Sequence, residues 1–71
     1  MDESSKDGQV LARVRALMAE KRVSQGRLGR RLGLSQAAVS RRLSGESPFS
    51  VAELASVADV LGVSLAEIVG S

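Results

Sequence analysis

Cysteine, histidine, tryptophan and tyrosine are all missing from this chain of 71 residues. Without cysteine there is no disulfide framework and no thiolate metal site, and without histidine almost no metal chemistry is left. The sequence has no glycine-rich phosphate loop, and its acids are scattered without the paired setting that acid–base catalysis needs. Neither enzymatic activity nor a cofactor is therefore expected. Phe49 is the single aromatic residue, so aliphatic and alanine side chains must carry the core. No apolar run approaches the length of a membrane span or of a signal peptide's apolar region, and the N-terminus is acidic where a signal would be basic. A cytoplasmic protein with no membrane partner is the expectation.

A chain this short buries one modest core, and folding alone at this size depends on well-matched helices or on dimerisation. Met1 to Gly8 has no apolar face and is expected to be a disordered tail, which leaves residues 9–71 as one domain. Val10, Leu11, Val14, Leu17 and Met18 repeat at the 3.6-residue period of a first helix, with Arg13 and Arg15 outside. Ser24 and Ser35 are placed to cap two further helices, and starts eleven residues apart leave room only for short ones. Leu28 and Leu32 share a face of the second helix, Gly33 permits the positive φ that stops it, and Leu34 follows as an apolar plug. Gly29 in mid-helix costs roughly 1 kcal/mol relative to alanine, which predicts a close helix crossing there.

In the third helix Ala38, Val39 and Leu43 share the inward face, and Gln36, Ala37, Ser40, Arg41 and Ser44 fall on the other. Gly45 supplies the stop, Pro48 breaks the chain, and Phe49 is expected to pack into the core from the loop. Ser50 with Glu53 and Ser64 with Glu67 form two capping boxes. The first opens a helix over Val51, Leu54, Ala55, Val57, Ala58 and Leu61 that ends at Gly62, and the second opens a short helix over Leu65 to Val69. The fold class is all-α, a compact five-helix domain. Two short helices joined by a glycine turn, the second presenting polar tips, are the signature of a helix-turn-helix that reads DNA.

Charge patterning agrees. From Lys21 to Arg42 there are seven basic residues and no acid, whereas from Leu43 to Ser71 there are four acids and no base. Positive charge thus coincides with the segment expected to face phosphate.

Residues 10–69 resemble the lambda-repressor-like, or XRE-type, helix-turn-helix domain of bacterial and phage transcription regulators. The resemblance rests on Ser24-Gln25, Gly29, the turn Gly33-Leu34-Ser35, Val39, Ser40, Gly45, Pro48 and the closing Leu61-Gly62-Val63-Ser64-Leu65. One departure is that the family usually has an apolar residue where Arg42 stands and a glutamate where Leu43 stands. Leu43 is expected to fill the core place from one position further on. The resemblance implies a sequence-specific regulator of double-stranded DNA, most similar to small phage repressors and Cro proteins. It also implies a homodimer on a two-fold operator, with half-sites about 34 Å apart.

Base readout is assigned to Gln36, whose amide pairs with adenine, and to Arg41, whose planar fork matches guanine. Ala37 and Ser40 face the groove beside them. Gln25 is expected, by resemblance, to hold a phosphate and to brace Gln36, at a helix N-terminus that favours an anion. Arg27, Arg30, Arg31, Ser44 and Ser47 are further phosphate candidates. Arg42 has two readings, a phosphate contact or a surface stem over apolar neighbours. Leu65, Ile68 and Val69 are expected to stay exposed in the monomer and to form the dimer interface. An alternative class of function is a protein-binding antitoxin or anti-activator that captures a partner with those same three residues. No small-molecule effector is expected.

Overall fold

The computed structural model describes residues 3–70, which form α1 (Glu3–Lys21), α2 (Gln25–Leu32), α3 (Gln36–Leu43), α4 (Val51–Leu61) and α5 (Leu65–Val69). No strand occurs among the described residues. Helix starts are set by serine at four positions. Ser24 Oγ accepts from the Arg27 N–H at 3.1 Å and Ser35 Oγ from the Ala38 N–H at 3.1 Å. Both capping boxes are formed, so Ser50 and Ser64 each exchange hydrogen bonds with a glutamate three residues on.

The core consists of Val14, Met18, Val23, Leu28, Val39, Leu43, Val57, Ala58, Leu61 and Ile68. Every helix contributes to it, and Val23 enters from the α1–α2 connection. Leu32, Leu34, Phe49 and Leu54 are half-buried against this cluster, in keeping with the inward faces read from their spacing. Val51 is different. It belongs to the apolar series of α4 but is 75% exposed, because it is the first residue of the helix and lies beyond the reach of the core.

Residues 1–8 were expected to be a tail, yet the helix α1 begins at Glu3. Val14 and Met18 anchor this helix in the core, and each further residue of an anchored helix adds a hydrogen bond for one more pair of dihedrals. Helical backbone therefore continues through Gly8, where even an added Cβ would meet nothing within 4 Å. Met1 and Asp2 lie outside the described residues. At its other end α1 closes through the Val23 N–H donating to the Met18 carbonyl at 2.9 Å, with Arg22 in the left-handed region at φ 57°.

Gly29 sits where the turn folds back on α2. A Cβ there would stand 2.6 Å from the Leu34 carbonyl oxygen and 3.4 Å from Val39 Cγ2. The close approach is therefore to the backbone of the turn first and to α3 second. Gly33 takes φ 72° and ends α2, and the Leu34 N–H returns to the Gly29 carbonyl at 2.8 Å. Helices α2 and α3 are thereby locked as a unit, and α2 also packs on α4.

Candidate nucleic-acid interface

Buried Val39 and Leu43 fix the rotation of α3, and the opposite side must then face out. Gln36, Ala37, Ser40 and Arg41 are all exposed, and they form two adjacent rows of residues four apart on one face. Gln36 is the first residue of α3, next to a helix N-terminus whose dipole is positive. Its Oε1 lies 3.9 Å from where a Cβ on Gly26 would stand, so its amide lies beside the first turn of α2. Among the described residues no hydrogen bond joins Gln36 to Gln25 in the protein without DNA. Gln25 is half-buried as the first residue of α2.

The basic candidates separate into two groups. Arg27, Arg30 and Arg41 are exposed and make no salt bridge among the described residues. Arg31 turns toward α4, where its Nη2 lies 2.9 Å from Asp59 Oδ2 in a pair whose side chains are 55% and 73% exposed. Arg42 is committed further. Its Nε donates to Glu53 Oε1 at 3.0 Å and its Nη1 to the Ala38 carbonyl at 3.2 Å, with side-chain exposures of only 20% and 23% for Arg42 and Glu53. Its guanidinium is thus engaged within the protein, by an acid at the start of α4 and by a carbonyl of its own helix. Leu43 fills the core place beside it, as the departure from the family pattern requires.

Glu53 Oε1 also accepts the Ser50 N–H at 3.0 Å. That backbone hydrogen bond, with smaller help from the Arg42 guanidinium, holds the Glu53 carboxyl below its ordinary value of 4.5 against the opposing effect of burial. Ser44 Oγ donates to the Arg41 carbonyl at 3.0 Å, and the half-buried Ser47 sends its N–H to that carbonyl at 3.2 Å. These two serines shape the loop after α3. An apolar groove of about 250 Å³ opens behind that loop, with Val10, Leu11, Pro48, Phe49, Leu54 and Arg42 among its walls.

At the C-terminus the expected exposed trio is corrected. Ile68 is fully buried, because α5 packs against both α1 and α4 and directs this side chain between them. Leu65 is half-buried and Val69 is 37% exposed. Two arginines that sequence reasoning left on the surface turn out to be engaged. Arg13 Nη1 donates to the Ile68 carbonyl at 3.3 Å, and Arg15 Nη1 to the Leu43 carbonyl at 2.6 Å. Only the outward placement of both residues on α1 was legible, since a long-range carbonyl partner leaves no trace in local spacing.

A short helix that exposes polar tips, locked by a glycine turn to a helix with exposed basic residues, defines the class of helix-turn-helix proteins that bind DNA. The family model described as Helix-turn-helix matches residues 14–68. The chain belongs to this family, in its XRE-type, lambda-repressor-like form, and is a DNA-binding transcription regulator. Neither a curated protein nor a solved structure gives a match to the chain. No described helix is long and apolar enough to cross a membrane.

Proposed function

We propose that this regulator is a repressor or Cro-like switch protein that binds a two-fold operator as a homodimer, with α3 in the major groove. The observation that carries this reading is the shared exposed face of Gln36, Ala37, Ser40 and Arg41, opposite the buried Val39 and Leu43. Gln36 reads adenine and Arg41 guanine by bidentate hydrogen bonds, with Ala37 against a thymine methyl and Ser40 on a base edge or phosphate. Arg27 and Arg30 supply phosphate charge, and Gln25 presents its helix N-terminus to a phosphate. Ser44 and Ser47 are minor backbone contacts. Arg31 joins the phosphate set only when it leaves Asp59. Repression follows from excluding polymerase.

Leu65 and Val69, four residues apart on α5, remain as dimer contacts. The antitoxin or anti-activator alternative needs the same surface, and the burial of Ile68 takes that residue from both readings alike.

Selection of the purified protein against a random duplex pool at near-physiological salt tests the proposal without a guess at the target. Enrichment of a two-fold site with half-site centres about 34 Å apart supports it. Salt-sensitive binding without enrichment overturns the specificity, and absence of binding turns the search to protein partners. On the enriched site, Gln36→Ala should cost about 1 to 3 kcal/mol and relax preference at one base pair. Arg30→Ala should weaken all duplexes alike and reduce the salt slope by about one unit.

A further inference from the structure

The last four carbonyl groups of any α-helix have no partner inside it, so each must find one elsewhere. In α3 these belong to Ser40, Arg41, Arg42 and Leu43. Three are satisfied by the loop that follows. The Ser40 carbonyl accepts the Ser44 N–H at 3.0 Å, that of Arg41 accepts the Glu46 and Ser47 N–H groups at 2.9 and 3.2 Å, and that of Arg42 accepts the Gly45 N–H at 3.2 Å. The Leu43 carbonyl differs in taking its donor from another helix. Arg15 of α1 reaches it at 2.6 Å across 28 residues of sequence.

We propose that Arg15 is a positioning residue for base readout, which ties the C-terminal end of α3 to α1 and so fixes the angle at which Gln36 and Arg41 enter the groove. The inference rests on the reading of α3 as the element that enters the major groove. The contact that Arg15 makes is with a carbonyl of the protein itself, so its tie to α3 exists without DNA. The position suits a cation, since the negative end of the α3 dipole lies at Leu43. The opposite flank of α3 is held by the Arg42–Glu53 pair to the start of α4, so the helix end is secured from two sides by different elements. Arg13 makes a similar tie two residues earlier, to the Ile68 carbonyl of α5, and provides an internal control on the same helix without touching α3.

The experiment compares the wild type with Arg15→Met, which keeps the apolar stem and removes every donor, with Arg15→Lys, which keeps one donor group, and with Arg13→Met. Affinities for the selected site and for random duplex are measured over a salt series. In Arg15→Met the ratio between the two affinities should fall by about tenfold, the discrimination that one bidentate base contact supplies, with the salt slope unchanged. Arg15→Lys should restore part of the ratio, and Arg13→Met should leave it intact. In the free protein, hydrogen exchange at the Ser44, Glu46 and Ser47 amides should speed up in Arg15→Met, whereas exchange at the Val63 amide that closes α4 should not.

A salt slope lowered by about one unit with the ratio retained would make Arg15 a phosphate contact and overturn the proposal. So would undiminished protection of the α3 end, or a lowered Tm with the ratio unchanged. Absence of any sequence preference in the wild type would remove the reading of α3 and the proposal with it. A wild-type preference that survives Arg15→Met overturns the proposal alone.

Discussion

Two single positions show how much of this fold turns on backbone rather than on side-chain chemistry. Alanine is the better helix former, so Gly29→Ala should gain about 1 kcal/mol by propensity alone. The new Cβ would however stand 2.6 Å from the Leu34 carbonyl oxygen, and a backbone atom in a locked turn cannot swing aside as a flexible side chain can. Overpacking of this kind costs typically 1–3 kcal/mol. Gly29→Ala should therefore lower the urea midpoint, and a raised midpoint would show that the turn yields. Arg22 presents the opposite case. At φ 57° a residue with a Cβ bears a penalty that glycine escapes. Arg22→Gly should raise stability by about 0.5 to 1 kcal/mol after glycine's greater unfolded entropy is set against the gain, read as an increase in Tm.

Among the elements, the α3–α4 junction concentrates the polar structure of the molecule in one carboxylate. Glu53 Oε1 receives both the Ser50 N–H and the Arg42 guanidinium. Its folded pKa lies below its unfolded value, so the stabilisation is fully present above the ordinary value of 4.5 and is lost as pH falls through the lowered folded one. Stability measured by urea denaturation should accordingly drop on acidification below about pH 4.5, and Glu53→Gln should flatten that part of the profile. An unchanged acid limb in Glu53→Gln would assign the loss to other carboxylates.

The same junction marks the boundary of what local pattern reveals. Ser50 and Glu53 are three residues apart, and their capping box, like that of Ser64 and Glu67, was plain in the sequence because its geometry is local. The starts of α2 to α5 followed from serine caps, and the ends of α2 and α4 from Gly33 and Gly62, for the same reason. The outward face of α3 was legible from the period set by Val39 and Leu43. Arg42 to Glu53, Arg31 to Asp59 and Arg15 to Leu43 are tertiary pairings, and nothing in local spacing chooses among ten basic residues and their partners. Ile68 was misplaced for a related reason: α5 is five residues long, too short for a period to declare which side faces in.

For the molecule as a whole, charge is divided between a basic span and an acidic C-terminal part, but the two halves are in contact. Asp59 of α4 pairs at the surface with Arg31, one of the cations proposed for phosphate. Asp59→Asn should leave folding within about 0.5 kcal/mol of the wild type, since both side chains are largely in water. Its effect should fall on DNA instead. Affinity for every duplex should rise, and the salt slope should steepen by up to about one unit as Arg31 becomes available. Unchanged slope and affinity would place Arg31 away from the backbone altogether.

The exposed rows of α3 also bear on how this domain changes over generations. Gln36, Ala37, Ser40 and Arg41 stand on the face opposite the buried Val39 and Leu43, so exchanges at these four positions take little from the core. If these four side chains read bases as proposed, new base preferences can accumulate by drift without passing through unfolded intermediates, and the scaffold behind them is free to stay as it is.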